Sequence, residues 1–318
     1  MAGTVKEGAF AGREGVIGVA QGGDGRTVKA TAFEADEVQA VQLAARALDK
    51  ARTLACDAVI LDREDAVAPD EKPRARDLLG QELGAGGFGP RAVIVRINGL
   101  DTPWGRDDLA ALDKAVARGA TLNAVLIPKV NHAADLDAVA ALMPGADLWA
   151  MLETPQAVLN AAGIAAHPRL RGLVMGTNDL AKDLGARPRA DRLPLQTALG
   201  LCLLAARAHR RVILDGVCNA FRDDDALRAE CEQGREMGFD GKTLIHPAQL
   251  PIANAVFAPS PAEVDLAHRQ ITAFDAALAT GQAVAVVDGK IVENLHIVTA
   301  RATLAKAAAI AGMPQGEM

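Results

Sequence analysis

The stretch from Ala124 to Glu153, AVLIPKVNHAADLDAVAALMPGADLWAMLE, decides the fold of this chain. Two short apolar runs, AVLIPKV at 124–130 and LWAMLE at 148–153, flank an Ala- and Leu-rich segment with helical periodicity. Continuous apolar runs that alternate with helices are typical of parallel strands in a sheet covered on both faces. The stretch is therefore predicted to form a strand, a helix and a second strand parallel to the first.

The same unit recurs along most of the chain. Seven apolar runs, each followed by a helical segment, lie at Asp57–Asp62, Ala92–Asn98, Ala124–Val130, Leu148–Glu153, Gly172–Gly176, Val212–Val217 and Gly241–His246. An eighth strand is expected before a helix near Val38–Leu54, at Gly15–Ala20 or at Thr27–Phe33. Eight units predict an α/β fold of the (β/α)₈ TIM-barrel type. An open dinucleotide-binding sheet is disfavoured, because Gly22–Gly25 lacks the glycine spacing of that fold.

The strand rhythm stops after Pro251, which divides the chain into three parts. Residues 1–36 are interpreted as an irregular segment with the first strand unassigned, 37–255 as the TIM-barrel catalytic domain, and 256–318 as a C-terminal helical appendage. The appendage is predicted to contain a helix, a short strand and a last helix, at Pro261–Thr280, Ala283–Val287 and His296–Ala311. It is expected to act as a lid or to mediate oligomerisation.

Composition excludes several classes of protein. Half of the 318 residues are hydrophobic, which argues against wholesale disorder, and aromatic residues make up only 3%, with no Tyr. The net charge of −6 disfavours nucleic acid and membrane surfaces as partners. The chain has no apolar run of transmembrane length, and its four cysteines lie far apart without zinc-ligand spacing. A cytoplasmic protein with buried, reduced cysteines is expected.

Two carboxylates stand where neighbouring strands end. Glu153 ends one predicted strand and Asp179 follows the end of the next. Strand ends form the mouth of a parallel barrel, and a pair of carboxylates with open positions for water and substrate suits Mg²⁺. An equally good interpretation of Asp179 is a helix cap. Glu153 is harder to explain otherwise, because a carboxylate at the end of an apolar strand is costly unless it is paired or bound to a metal.

Other polar residues follow the remaining strands. Arg96 lies inside the apolar run VIVRIN and needs a carboxylate partner, either on a substrate or within the chain at Asp62 or Glu64. The acidic run that contains Asp62 and Glu64 could be a solvated loop, but its position at a strand end argues that at least one of the two points into the mouth. His246 precedes a proline at the last strand end, where it either binds a ligand or plays a structural role. The chain has no nucleophile-elbow motif, so covalent hydrolysis is disfavoured.

Taken together, these segments resemble the HpcH/HpaI aldolase and citrate lyase β-subunit family, and within it the CoA-ester lyases. The resemblance runs from about Ala45 to Ala311. It rests on six segments: ALDKARTLACDAVILDREDAVAPDEKPRAR at 47–76, VRINGLDTPWGRDDL at 95–109, IPKV at 127–130, MLETP at 151–155, MGTNDLAKDLG at 175–185 and GKTLIHPAQL at 241–250.

The resemblance implies a Mg²⁺-dependent (β/α)₈ barrel in which Glu153 and Asp179 hold the metal. Arg96 is implied to bind the substrate acid or oxyanion, with Asp62 and Glu64 as further catalytic residues. Substrate-binding positions are implied at Asn178, Asp179, Ile245 and His246, and Lys50 matches a position that contacts CoA in related lyases. The implied partners are acyl-CoA and small oxo-acid substrates and further copies of the chain, in a trimer or hexamer.

Three features depart from the family pattern. The family's DLEDAV reads DREDAV here, which puts Arg63 beside the expected carboxylates. In the appendage, the acid/base Asp that relatives supply from a neighbouring subunit is replaced by Glu293. The RSxLxVPG-like first strand that lines the CoA site in relatives has no counterpart in residues 1–44.

The main expectation for function is a Mg²⁺-dependent carbon–carbon lyase. It would cleave a malyl-, methylmalyl-, citramalyl- or citryl-CoA thioester into an acyl-CoA and an oxo acid through an enolate. The alternatives are a thioesterase that hydrolyses the same esters, a class II aldolase on free oxo acids, and a non-catalytic member of the family that binds an acyl-CoA.

Overall fold

A computed structural model describes residues 17–20 and 49–312 of the chain. Its first strand is β1 (Ile17–Ala20). Seven further strands form a curled parallel sheet in chain order: β2 (Ala58–Asp62), β3 (Ala92–Arg96), β4 (Ala124–Ile127), β5 (Asp147–Leu152), β6 (Leu170–Met175), β7 (Val212–Asp215) and β8 (Gly241–Leu244). The seven predicted strands and their parallel α/β architecture are confirmed.

Helices connect these strands and cover the outside of the sheet. They are α1 (Lys72–Ala85), α2 (Gly105–Ala117), α3 (Ala133–Leu142), α4 (Pro155–Leu159), α5 (Ala161–Ala165), α6 (Thr177–Asp183), α7 (Leu193–Ala208), α8 (Asp224–Met237) and α9 (Leu250–Phe257), with 3₁₀ turns at Pro69–Glu71 and Pro247–Gln249. No helix in the described part of the chain is long and apolar enough to cross a membrane.

The β1 strand lies between the two edges of the seven-stranded sheet. Ile17 is aligned with Ala58 of β2 and with Thr243 of β8, and both pairings are parallel. Of the two segments predicted for a first strand, Gly15–Ala20 contains β1. The other, Thr27–Phe33, lies outside the described residues, as does most of the helix predicted near Val38–Leu54.

Side chains of each strand alternate between two apolar layers. Ile60, Ile94, Leu126 and Trp149 belong to the cluster inside the curled sheet, whereas Val59, Val93, Val125 and Leu148, their neighbours in sequence, pack against the helices. Because this alternation has a period of two, it fixes the direction of each residue at a strand end. Arg96 and Glu153 continue the inner row of their strands and therefore point toward the inside.

The start of α2 lies unusually close to the loop that follows β3. A Cβ atom at Gly105 would come within 2.4 Å of the Gly99 carbonyl oxygen and 2.7 Å of the Asn98 carbonyl oxygen. We expect Gly105→Ala to destabilise the protein by about 1–3 kcal/mol, because backbone atoms have to move. Thermal unfolding measures this, with Gly80→Ala, whose Cβ meets open space in α1, as the matched control. Equal melting temperatures for the two variants would contradict the expectation.

The C-terminal appendage has a small apolar core of its own. It consists of α10 (Pro261–Ala279), the antiparallel strands β9 (Ala285–Val287) and β10 (Lys290–Val292), and α11 (Asn294–Ala311). The cluster of buried residues in this core consists of Phe274, Ala277, Ala285, Val292 and Ile297. The two predicted helices and the predicted strand are confirmed to within two residues. The second strand, β10, was not predicted, although the Asp288-Gly289 pair that joins it to β9 is typical of a two-residue hairpin turn. The three-part division of the chain stays a prediction.

Candidate active site

The candidate site lies at the carboxyl ends of the strands. A cavity of about 250 Å³ opens there, with Arg96, Glu153, Asn178, Asp179 and Asn219 among the residues that line it. A larger cavity of about 550 Å³ lies beside it and shares Glu153 and Asp179 with the first. Three of the polar residues predicted for the mouth of the barrel, Arg96, Glu153 and Asp179, are therefore brought together, as the register of the strands requires.

Arg96 is held by carboxylates of its own chain. Its Nε donates to Asp62 Oδ1 at 2.6 Å, its Nη2 donates to Asp62 Oδ2, and its Nη1 lies 2.8 Å from Glu64 Oε2. Burial alone would lower the pKa of Arg96, but the charges of Asp62 and Glu64 raise it above the usual value. One of the two partners predicted for Arg96, a carboxylate within the chain, is therefore present.

Asp62 and Glu64 are committed to this cluster rather than free. Asp62 also accepts hydrogen bonds from the backbone N–H groups of Glu64, at 2.9 Å, and Ala66, at 3.3 Å. Glu64 Oε1 lies 3.0 Å from Lys129 Nζ. Burial raises the pKa of Glu64, although the charge of Arg96 opposes the shift. The acidic run is thus an ordered wall beside the cavity rather than a solvated loop.

Glu153 is almost completely buried and has little to neutralise its charge. It is 1% exposed, and its Oε1 accepts a hydrogen bond from the Lys129 backbone N–H at 2.7 Å. Burial and the nearby charge of Glu64 raise the pKa of Glu153 to about 8. Position 176 must be glycine for Glu153 to fit, since a Cβ there would lie 2.3 Å from Glu153 Cβ. A buried carboxylate in this state suits a bound cation.

Asp179 lies in the first turn of α6 and lines both cavities. The cap of this helix is Gly176, so Asp179 does not serve as the helix cap that was considered for it. The mouth as a whole has an excess of negative charge. Five carboxylates, Asp62, Glu64, Asp65, Glu153 and Asp179, face two cations, Arg96 and Lys129.

This donor set fits a divalent cation. Glu153 and Asp179 supply hard oxygen ligands, and they leave positions open for water and substrate oxygens, as Mg²⁺ prefers. Among the described residues, no group of three or more His, Cys, Asp and Glu side chains is arranged to hold a metal by itself. A metal at this site would therefore depend on water or substrate for its remaining ligands.

The raised pKa of Glu153 predicts a pH-dependent affinity for Mg²⁺. A proton must leave Glu153 before the metal binds, and the pKa of about 8 means that the proton is present at lower pH. We expect the affinity to rise about tenfold per pH unit up to about pH 8 and then to level off. Calorimetric titration of the metal-free protein measures it. An affinity that stays constant from about pH 6 to about pH 8 would contradict the assignment of Glu153.

The residues predicted to bind substrate take different positions. Asn178 lines the smaller cavity and exchanges two hydrogen bonds with Asn219, at 2.7 and 3.2 Å. Ile245 lines the same cavity. His246 instead caps the 3₁₀ turn that follows β8, where its Nδ1 accepts a hydrogen bond from the Ala248 N–H at 3.1 Å, and its ring lies 5.1 Å from that of Phe221. The structural interpretation of His246 fits these contacts better than the binding one.

Lys50 and Glu293 do not join the cavity within one copy of the chain. Lys50 is exposed, and nearby Arg52 bonds to Glu82 and Gly86 at the end of α1, which lies toward the amino ends of the strands. Glu293 precedes α11, where it is exposed and its backbone N–H donates to His296 Nδ1 at 3.0 Å. Their predicted roles stay predictions.

A buried polar network that the sequence analysis missed supports the loop after β2. Arg63 turns away from the cavity, and its Nη2 lies 2.9 Å from Asp108 Oδ1. Burial lowers the pKa of Arg63 to about 10. Lys72 donates to the carbonyl oxygens of Arg63 and Glu64 and to Asn98 Oδ1, at 2.6 to 3.0 Å. The departure from the family pattern at Arg63 is therefore structural, and it adds no charge to the cavity.

A second missed network explains the end of β7. Asp215 is the last residue of β7, but it follows the inner-facing Leu214 and so points outward, toward the helices. It is fully buried and accepts from Arg192 at 2.8 Å and from Lys242 at 3.0 Å. Lys242 is also fully buried and bonds to Glu230 at 2.9 Å. The inward and outward alternation of the strand is the signal that identifies this direction.

Comparison with known proteins identifies relatives that are similar to this chain in sequence. A (3S)-malyl-CoA thioesterase of Cereibacter sphaeroides is 69% identical over 266 residues, which covers 84% of this chain and 92% of the relative. An L-malyl-CoA/beta-methylmalyl-CoA lyase of the same species is 33% identical, covering 78% of this chain and 86% of the lyase. The expectation of a carbon–carbon lyase is therefore wrong. The more similar of these relatives is the thioesterase.

A solved structure has the same architecture and was determined with ligands. The crystal structure of CitE from Mycobacterium tuberculosis in complex with magnesium, acetoacetate and coenzyme A matches with a TM-score of 0.69 at 29% identity, and covers 84% of this chain and 94% of that chain. The model of the HpcH/HpaI aldolase/citrate lyase family matches residues 42–247. This match contains the strands from β2 to β8 and both strand-end carboxylates, Glu153 and Asp179. The chain belongs to the HpcH/HpaI aldolase/citrate lyase family.

Proposed function

We propose that this protein is a thioesterase that hydrolyses a malyl-CoA-type thioester to the free hydroxy diacid and CoA. The observation that carries the proposal is the 69% identity to a (3S)-malyl-CoA thioesterase across 84% of the chain. The smaller cavity, about 250 Å³ with one wall of cations and carboxylates, agrees with a small polar acyl group as the reacting part of the substrate.

Glu153 and Asp179 would hold a Mg²⁺ ion at the boundary of the two cavities. When bound, the metal supplies a Lewis acid that polarises a carbonyl oxygen or a carboxylate of the substrate. The excess of negative charge at the mouth and the raised pKa of Glu153 support this assignment, as does the magnesium in the complex of the similar CitE structure.

The residues of the chain itself orient the reaction. Arg96 fixes Asp62 and Glu64, and its positive charge adds to the potential that stabilises an oxyanion at the thioester carbon. Asp65, which lines the smaller cavity and has a mostly exposed side chain, would accept a proton from the attacking water. Water adds its hydroxyl group to the acyl carbon, the carbon–sulfur bond breaks, and CoA leaves as a thiolate that takes up a proton.

We also propose that β1 closes the sheet into a complete eight-stranded barrel. The parallel pairings of β1 with β2 and with β8 support the closure. Closure would cover the sheet edges next to Ile60 and Thr243, both of which line the smaller cavity. The cavity would then have a continuous wall of strand ends.

Product analysis tests the function. The purified protein is incubated with Mg²⁺ and (3S)-malyl-CoA, and free CoA, malate, acetyl-CoA and glyoxylate are measured separately. We expect equal amounts of free CoA and malate. Formation of glyoxylate with acetyl-CoA, or the absence of all four products, would contradict the proposal.

A further inference from the structure

We propose that Lys129 binds the free carboxylate of the acyl group and thereby selects dicarboxylic acyl thioesters over neutral ones. The inference rests on the proposed function, because it concerns which thioester the same site accepts. It assigns to Lys129 the role that the family resemblance implies for Arg96.

Arg96 has few donors left for a substrate. Two of its nitrogen atoms are hydrogen-bonded to Asp62, and the third contacts Glu64 at 2.8 Å. The side chain of Asp62 is completely buried, and that of Arg96 is only 12% exposed. Drawing Arg96 toward a substrate would leave Asp62 as a buried carboxylate without a counter-ion, which is costly. Arg96 is therefore better suited to hold this wall than to bind a mobile anion.

Lys129 is free to move where Arg96 is not. Its side chain is 54% exposed, and its ammonium group contacts one carboxylate, Glu64, at 3.0 Å. An ammonium group has three donors, so two remain for a ligand. If Lys129 turns to a substrate carboxylate, Glu64 keeps its contact with Arg96. The exchange replaces one carboxylate by another and leaves no buried charge unpaired.

The backbone of Lys129 places it beside the proposed metal ligand. Its φ angle of 52° lies in the left-handed region, which residues other than glycine rarely adopt. In this conformation its N–H donates to Glu153 Oε1 at 2.7 Å, while its side chain reaches Glu64 on the other side. Strained backbone of this kind persists where the surrounding structure requires it, commonly at functional sites.

The charged residues that line the larger cavity are mainly negative, so a cation in its lining can favour substrates that carry a carboxylate. Three aspartates, Asp101, Asp135 and Asp183, line it together with Glu153 and Asp179, so a substrate carboxylate would be repelled without a local counter-charge. Lys129 and Lys182 are the two lysines in this lining. Of these two, Lys129 is the one whose backbone N–H bonds to Glu153. A substrate carboxylate bound by Lys129 would therefore lie close to the proposed metal ligand and to the reacting end of the substrate.

Substrate selectivity tests the proposal. The ratio of kcat/KM for malyl-CoA to that for 3-hydroxybutyryl-CoA, which lacks the second carboxylate, is measured in the wild type and in Lys129→Met. We expect the ratio to fall by about tenfold or more, through KM for malyl-CoA, because a charge-assisted hydrogen bond is lost. Lys129→Arg should keep most of the selectivity. Lys114→Met, on α2, is the control and should leave the ratio unchanged.

Two results would overturn the proposal. One is an unchanged ratio in Lys129→Met, and the other is a loss of selectivity in Lys182→Met instead. Methionine and lysine have the same backbone strain at this φ angle, so the effect of Lys129→Met reports the loss of the ammonium group and not a change in strain. If Lys129→Met fails to fold, Lys129→Asn, which tolerates the left-handed region better, takes its place.

Binding of the product separates this proposal from the proposed function. Calorimetry with L-malate and Mg²⁺ requires no hydrolysis, and we expect Lys129→Met to bind malate at least about tenfold more weakly than the wild type does. Malate binding that depends on Lys129 in a protein without thioesterase activity would refute the proposed function alone. Equal malate binding by the wild type and Lys129→Met in an active thioesterase would refute the role of Lys129 alone.

Discussion

Glu153→Gln is expected to lower kcat/KM for the malyl thioester by about 1000-fold or more, even at saturating Mg²⁺. Glutamine keeps the shape of the side chain and an oxygen that can accept the Lys129 N–H, but it removes the negative charge that a cation requires. Asp179→Asn should have an effect of the same order, because both carboxylates are proposed ligands of one ion. Steady-state kinetics with the release of free CoA as the readout measures both variants.

A control separates this effect from a general loss of charge or stability. Glu236→Gln removes a carboxylate from an exposed position on α8 and should leave kcat/KM unchanged. Glu153→Gln is expected to melt no lower than the wild type without metal, since burial already disfavours the charged form of Glu153. Full activity in either Glu153→Gln or Asp179→Asn would refute the metal site.

Asp215→Ala is expected to cost about 3–5 kcal/mol of folding free energy. Asp215 is the carboxylate that Arg192 and Lys242 share, at 2.8 and 3.0 Å, and it is completely buried. Without it, two cations would face each other with Glu230 as their remaining partner. Denaturant unfolding measures the loss.

An exposed ion pair offers the contrast. Asp147→Ala removes the partner of Arg171, whose side chain is 45% exposed, and such pairs contribute about 0–1 kcal/mol. The side chain of Asp147 is 26% exposed and pairs with one cation, whereas that of Asp215 is completely buried and pairs with two. Equal losses for Asp215→Ala and Asp147→Ala would show that the buried network does not hold the β7–β8 region together.

Much of the fold could be predicted because its signals are local. The apolar runs that form β2 to β8 are each continuous in sequence, and their alternation with helices predicts a parallel sheet without any knowledge of contacts. The short strands β1 and β10 are different. The partners of β1, which are β2 and β8, are distant in sequence, and the sequence shows no clear cap and helix pattern directly after β1. The strand β10 pairs with its neighbour β9 and is recognisable only from the Asp288-Gly289 turn between them.

The site was predictable as a set of positions but not as a set of partners. Glu153 and Asp179 follow from strand ends alone. Asp62 and Glu64 could be named as possible partners of Arg96, but the pairing with Asp62 follows only from the register between β2 and β3. Arg63 and Asp215 were harder still. They stand at the carboxyl ends of β2 and β7, where an inward direction is expected, yet their partners Asp108 and Arg192 lie on the side away from the cavity.

The reaction itself was the least predictable part. Glu153 and Asp179 are proposed to bind a metal, and polarisation of a substrate carbonyl by a metal would serve both cleavage of a carbon–carbon bond and hydrolysis of a thioester. The difference between the two lies in what attacks or leaves the acyl carbon. That depends on the position of one water molecule, which no strand-end motif encodes.

The close approach of Gly176 to Glu153 limits how this enzyme can evolve. A methyl group at position 176 would occupy the space of the Glu153 side chain, 2.3 Å from its Cβ and 2.7 Å from its Oε2. Random mutagenesis of the chain should therefore recover no active clone with a side chain at 176, although this position carries no reactive group. Homologous sequences can change their substrate through the surrounding loops, but any sequence that keeps Glu153 must also keep glycine at position 176.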